Sequence, residues 1–294
     1  MFLITQLIGL FVISVYNSPG VDLPYGMEPP PEVQNQSLGP QIIFAFAIAI
    51  TLFFILTRIK AETFIRLWFF VVTVLALGLS LNIFLIKINL DYYTSIAALL
   101  ISLPLAYVKI FNRNILVHNL TELLIYPGIA AVFVPILNIF WMIILLILIS
   151  IYDMWAVWRS EIMQKMAKYQ IENLRFFTGF FVPYATLKQK QKIKNIKQKY
   201  ASKGEEILEK QFKKAKIKVS LAILGGGDII FPIITAGVIL AAYNSIFPAL
   251  IIIASATLAL LGLFILAQKG KFYPAMPFIS AGLFLGMIIN WLVF

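Results

Sequence analysis

The sequence predicts an all-α polytopic membrane protein with nine transmembrane helices. Three observations carry that prediction. The 294 residues are 61% hydrophobic and 13% charged, with a mean hydropathy of +0.92, whereas a soluble domain is roughly 25% charged. Apolar stretches of about 20 residues, enough to cross ~30 Å of hydrocarbon, recur from one end of the chain to the other. Basic residues gather in alternate connections between those stretches.

The apolar segments lie near 1–16, 41–57, 67–86, 93–111, 121–136, 138–158, 219–240, 246–267 and 275–293. The first lacks the basic start and the small-residue cleavage site of a signal peptide, which makes it a span. As one helix, 121–158 would run about 57 Å, nearly twice the hydrocarbon thickness. Pro135 and Asn138 therefore mark a turn that splits it into the fifth and sixth spans.

The charges orient the bundle. With nine spans and the N-terminus in the cytoplasm, the short inner loops carry Arg58, Lys60, Arg66, Lys109, Arg113, Lys269 and Lys271. The long segment 159–218 adds sixteen more Lys and Arg, and only Lys87 falls outside. This is the positive-inside pattern, and it leaves the C-terminus outside. The outer loop 17–40 contains neither Lys nor Arg. The chain thus divides into a six-span part (1–158), a basic cytoplasmic loop (159–218) and a three-span part (219–294).

Composition excludes several chemistries. With no cysteine there is no disulfide, thiolate metal site or cysteine nucleophile. The single histidine, His118, rules out a two-histidine metal site and argues against Ser-His proteolysis. No cofactor is expected. The lysines of 159–218 suit anionic lipid headgroups, and no nucleic-acid recognition motif accompanies them. Within that segment, "FFTGFFVPY" (176–184) is apolar but too short to cross, and is expected in the interface or dipping back towards the bundle.

Eleven of the thirteen carboxylates fall in loops or at span ends. Glu122, one helical turn from His118, is expected to form a pair with it at the membrane surface. Asp153 and Asp228 remain, on consecutive antiparallel spans. Asp153 lies about 9 Å from the cytoplasmic boundary and Asp228 about 15 Å, or less where glycines break the helix. No cation within a span is available to either. Two such carboxylates lower their cost by facing each other and sharing one proton, and titrate as a pair. That arrangement lets one act as base on a water and the other as acid towards a carbonyl oxygen. Gly225, Gly226 and Gly227 directly precede Asp228; they weaken the helix and leave room for a substrate backbone.

These residues resemble the presenilin and signal peptide peptidase family of intramembrane aspartyl proteases. Tyr152–Asp153 within "LISIYDMWAVW" is similar to the family's YD motif, and "GGGD" at 225–228 to its GxGD motif. "YPAMPF", with Pro274, Ala275, Met276 and Pro277, is similar to its PAL motif, methionine replacing leucine. A literal "FPAL" at Phe247–Leu250 begins the eighth span at the outer face and is set aside as a decoy. The resemblance covers essentially the whole chain. It implies a presenilin-like fold and cleavage of transmembrane protein substrates within the bilayer. It also implies a catalytic Asp153–Asp228 dyad and a 274–277 segment that positions substrate. Tyr152 stands either as a hydrogen-bonding group near the dyad or as a packing residue. The cytoplasmic 159–218 loop is the presenilin orientation, and the compact chain resembles a microbial homologue. The alternative, a proton- or cation-coupled transporter, predicts inverted repeats that the sequence lacks. A catalytically silent helix-binding member is disfavoured by the presence of both aspartates.

Overall fold

Apolar stretches without water must close their backbone hydrogen bonds internally, which helices do. The computed structural model describes residues 1–27, 38–59, 61–88, 93–112, 114–159, 166, 169–174, 177–184, 220–267 and 273–294. Among them are nine α-helices: α1 (Phe2–Tyr16), α2 (Leu38–Arg58), α3 (Glu62–Lys87), α4 (Thr94–Phe111), α5 (Ile115–Phe133), α6 (Ile139–Trp158), α7 (Gly226–Tyr243), α8 (Ile246–Leu266) and α9 (Met276–Val293). Seven of them, α3 to α9, are long and apolar enough to cross a membrane, α5 together with its 3-10 extension to Ile136. The fifteen residues of α1 form a shorter apolar helix. Most of the 159–218 loop expected in the cytoplasm lies outside the described residues.

The split between the fifth and sixth spans follows the expected chemistry. Val134–Ile136 tightens into a 3-10 turn carrying Pro135, and the Asn138 side chain then caps α6 by accepting from Trp141 N at 2.9 Å. Helix α5, expected to begin at 121, begins at Ile115. The Asn114 side chain accepts from Leu116 N at 3.0 Å and Val117 N at 3.3 Å, stabilising a start that the polar residues His118 and Asn119 obscure in hydropathy.

The expected span 219–240 is corrected in the same way. Ser220–Gly225 is a β-strand (β2) paired with Gly179–Tyr184 (β1), and α7 starts only at Gly226. Of the "FFTGFFVPY" segment, Gly179–Tyr184 is a strand. Two compact units result, one made of Met1–Gly179 with Gly225–Phe294 and the other of Phe180–Leu224. In the smaller unit, the described residues are the paired strands.

Within the larger unit α7 is the most buried of the seven spans and packs against α1, α5, α6, α8 and α9. Gln6 of α1 donates from Nε2 to the Ile229 carbonyl of α7 at 2.9 Å. Helices α3 and α5 approach so closely that a methyl at Gly128 would collide with the Ala76 carbonyl. A helix buried on most of its surface has little freedom to shift, so whatever its first turn carries is held in place.

Outside the spans, Tyr25 ties the 17–27 segment to the bundle, its hydroxyl donating to the Ser95 carbonyl at 3.1 Å. Burial pushes its phenol above the usual tyrosine range. A raised acid contributes stability that is complete below the unfolded value, about 10, and is lost as pH rises through the folded value. Tyr25→Phe is expected to cost about 1 kcal/mol at neutral pH through the lost hydrogen bond. It should also lessen the decline in melting temperature above pH ~10, read by thermal unfolding across pH.

Candidate active site

The glycines before Asp228 do more than loosen a helix, because they end a strand and start one. Gly225 is the N-cap of α7 in an extended conformation, φ −66° and ψ 150°. Gly226 N donates to the Thr178 carbonyl at 3.2 Å, joining the start of β1 to the end of β2 as an antiparallel pair requires. Asp228 is then the third residue of the helix, where its carboxylate accepts from the Gly225 backbone N–H. This is the carboxylate half of a capping box, with the favourable end of the helix dipole beneath it. Asp228 is only 6% exposed, so the Gly225 N–H offsets part of its desolvation. Of the two depths the sequence allowed, the structure has the shorter one: the helix begins at the glycines, and Asp228 lies in its first turn. Pro232, four residues on, has no N–H to return to the Asp228 carbonyl, which leaves that turn more open.

Asp153 comes from α6 and is equally buried, at 7% exposure. Its Oδ2 accepts from Met276 N at 3.0 Å, and the Ala275 backbone N–H also donates to it. These donors exist because α9 begins at Met276, and the first N–H groups of a helix have no partner within it. The Ser150 and Ser280 hydroxyls, 2.8 Å apart, pin α6 to α9 one turn from each motif. Asp228 lies close enough to Asp153 to feel its charge.

The structure thus brings together Asp153, Asp228, Gly225, Gly226, Ala275 and Met276. Pro274, Ala275 and Met276 are buried and Pro277 is half-buried. Gly227 is exposed, and a methyl there would meet only the Phe231 ring at 3.8 Å, so the space beside Asp228 is open on that side. Tyr152 is 40% exposed, with its ring 6.3 Å from that of Trp155. The FPAL decoy belongs elsewhere. Asn290, near the far end of α9, donates from Nδ2 to the Pro248 carbonyl at 2.9 Å. Asn290 is fourteen residues from Met276, about 21 Å along the helix.

The expected His118–Glu122 pair is present, Nε2 lying 3.7 Å from Oε1, but it is not solvated: Glu122 is 1% exposed and is also paired with Lys109 from α4, itself 6% exposed. A cation within a span is therefore present, bound to a third buried carboxylate rather than to the aspartates. The His118–Glu122 spacing was visible in sequence; the arrival of Lys109 from another helix was not.

Two buried carboxyls on neighbouring helices of an apolar bundle are compatible with an aspartic hydrolase that works within the bilayer. A family model described as signal-peptide peptidase, presenilin aspartyl protease matches residues 1–294, and the chain belongs to that family. It is a presenilin-type intramembrane aspartate protease and an integral multi-pass membrane protein. Two solved structures of a presenilin family intramembrane aspartate protease, in space groups C222 and P2, share its fold. The first superposes with a TM-score of 0.60 at 17% identity, covering 100% of this chain and 97% of that one. The second has a TM-score of 0.60 at 18% identity, covering 100% and 96%. No curated protein sequence matches the chain.

Proposed function

We propose that Asp153 and Asp228 are the catalytic pair of this protease and that it hydrolyses peptide bonds within transmembrane helices of membrane proteins. The observation that carries this is the convergence of three chain segments. The 274–277 segment delivers backbone N–H groups to Asp153, and Asp153 in turn interacts with Asp228 at the start of α7.

One carboxylate takes a proton from water as the water attacks the scissile carbonyl carbon. The other, protonated, gives its proton to the carbonyl oxygen, and the tetrahedral intermediate collapses with a proton passed to the departing amine. A helical substrate hides its carbonyls in hydrogen bonds and must first unwind. Pro274 and Pro277 keep the segment before α9 from closing into helix, so it can pair with an unwound strand. The exposed face of Gly227 leaves room for a backbone beside Asp228. From the charge distribution, the N-terminus and the 159–218 loop lie in the cytoplasm and the C-terminus outside.

The test is reconstitution of the purified chain with a fluorogenic single-span substrate, followed across pH beside Asp153→Asn and Asp228→Asn. Cleavage by the wild type and by neither variant supports the dyad. Cleavage that survives in either variant refutes it.

A further inference from the structure

His118, Glu122 and Tyr126 are spaced four residues apart and form one stripe along α5, every member of it buried. None of them is needed for the proton transfers described above, yet burying a carboxylate, a lysine, an imidazole and a phenol together is costly. The cluster is organised around Glu122. Lys109 pairs with its Oε1, and His118 Nε2 lies 3.7 Å from the same oxygen. The His118 nitrogen is also 2.8 Å from the Gly179 carbonyl. One turn further along, Tyr126 interacts electrostatically with both Glu122 and Asp228.

The stripe ends on the glycine motif. A methyl built at Gly226 would lie 2.9 Å from the Tyr126 hydroxyl oxygen, so the phenol rests directly on the first residue of α7. A cavity of about 210 Å³ lies along the stripe, its wall including Lys109, Glu122, Tyr126, Thr178, Gly226 and Gly227. The residues that anchor the start of α7 are therefore addressed twice. Thr178 accepts from Gly226 N, and Tyr126 covers Gly226 from α5.

We propose that Tyr126, oriented by the Lys109–Glu122 pair, is a positioning residue for Asp228. Its phenol packs against Gly226, beside the Gly225 backbone from which the Asp228 carboxylate takes its N–H donor. The phenol does not touch substrate; it sets the angle at which Asp228 faces Asp153. This rests on the assignment of Asp228 as catalytic. It explains why position 226 is glycine in structural terms: any side chain there would displace the phenol.

The test compares Tyr126→Phe, Lys109→Met/Glu122→Gln and Asp228→Asn in the reconstituted cleavage assay. Thermal unfolding and binding of a hydroxyethylene peptide isostere, a probe of dyad geometry, are measured alongside. Tyr126→Phe removes one hydroxyl, and the double variant removes the ion pair without leaving a lone buried charge. Each is expected to lower kcat about tenfold at unchanged KM, about 1.4 kcal/mol of transition-state stabilisation, and to weaken isostere binding by a similar factor. Wild-type kcat in either variant, with Asp228→Asn inactive, overturns the positioning role alone. So does a loss that merely follows the folded fraction. Cleavage by Asp228→Asn overturns the catalytic assignment and this inference with it.

Discussion

Asparagine in place of Asp153 or Asp228 is expected to reduce cleavage of a single-span substrate by on the order of 10³-fold or more, with little change in melting temperature. The substitution is nearly isosteric, and each amide keeps one oxygen for the backbone donors. The amide at position 153 would still accept from Met276 N, and the one at position 228 from Gly225 N. What the amide cannot do is take a proton from water or give one to a carbonyl oxygen, and neither member of an acid–base pair replaces the other. Stability should hold because, among the described residues, each change removes an ionisable group that is buried without a cation partner. Initial rates and thermal unfolding on the same preparations check both halves. A variant that loses activity together with its fold would point to a structural aspartate instead.

Lys109→Met is expected to be the most destabilising single change in the bundle interior, at about 3–5 kcal/mol, because it leaves Glu122 charged, buried and unpaired by lysine. The side chains of Lys109 and Glu122 are 3% and 2% exposed. Methionine matches the length of the lysine stem, so packing changes little and the electrostatic cost dominates. Adding Glu122→Gln to the same chain should recover most of the loss, since replacing both members of a buried pair is often close to neutral. Denaturation of wild type, both single variants and the double variant in one detergent measures the coupling. Additive losses would mean that the pair is not an interacting unit.

The two experiments touch residues of different legibility. Asp153 and Asp228 stood out because an ionisable residue far from any basic flank in an apolar run is rare, and the flanking YD and GGGD residues are contiguous in the chain. The 274–277 segment was legible for the same reason, and its rank over FPAL followed from alternation of spans. Glu122 was misread because hydropathy dropped at His118 and Asn119, which moved the apparent start of the fifth span from 115 to 121. A carboxylate at that false boundary looked solvated. Tyr126 gave no signal at all, since a tyrosine among leucine and isoleucine reads as packing.

What the chain alone determined is what depends on composition and near neighbours. Apolar length made the spans, lysine distribution pointed to their orientation, and contiguous motifs named the two aspartates. Only the tertiary structure decided where α7 begins, that β2 precedes it, and that Lys109 meets Glu122. The physical reason is that these outcomes are settled by partners distant in sequence. A glycine run permits either helix or strand, and the Thr178 carbonyl selects the strand's end at Gly226. A carboxylate can be exposed or buried, and burial becomes tolerable only when an ammonium from another helix reaches it.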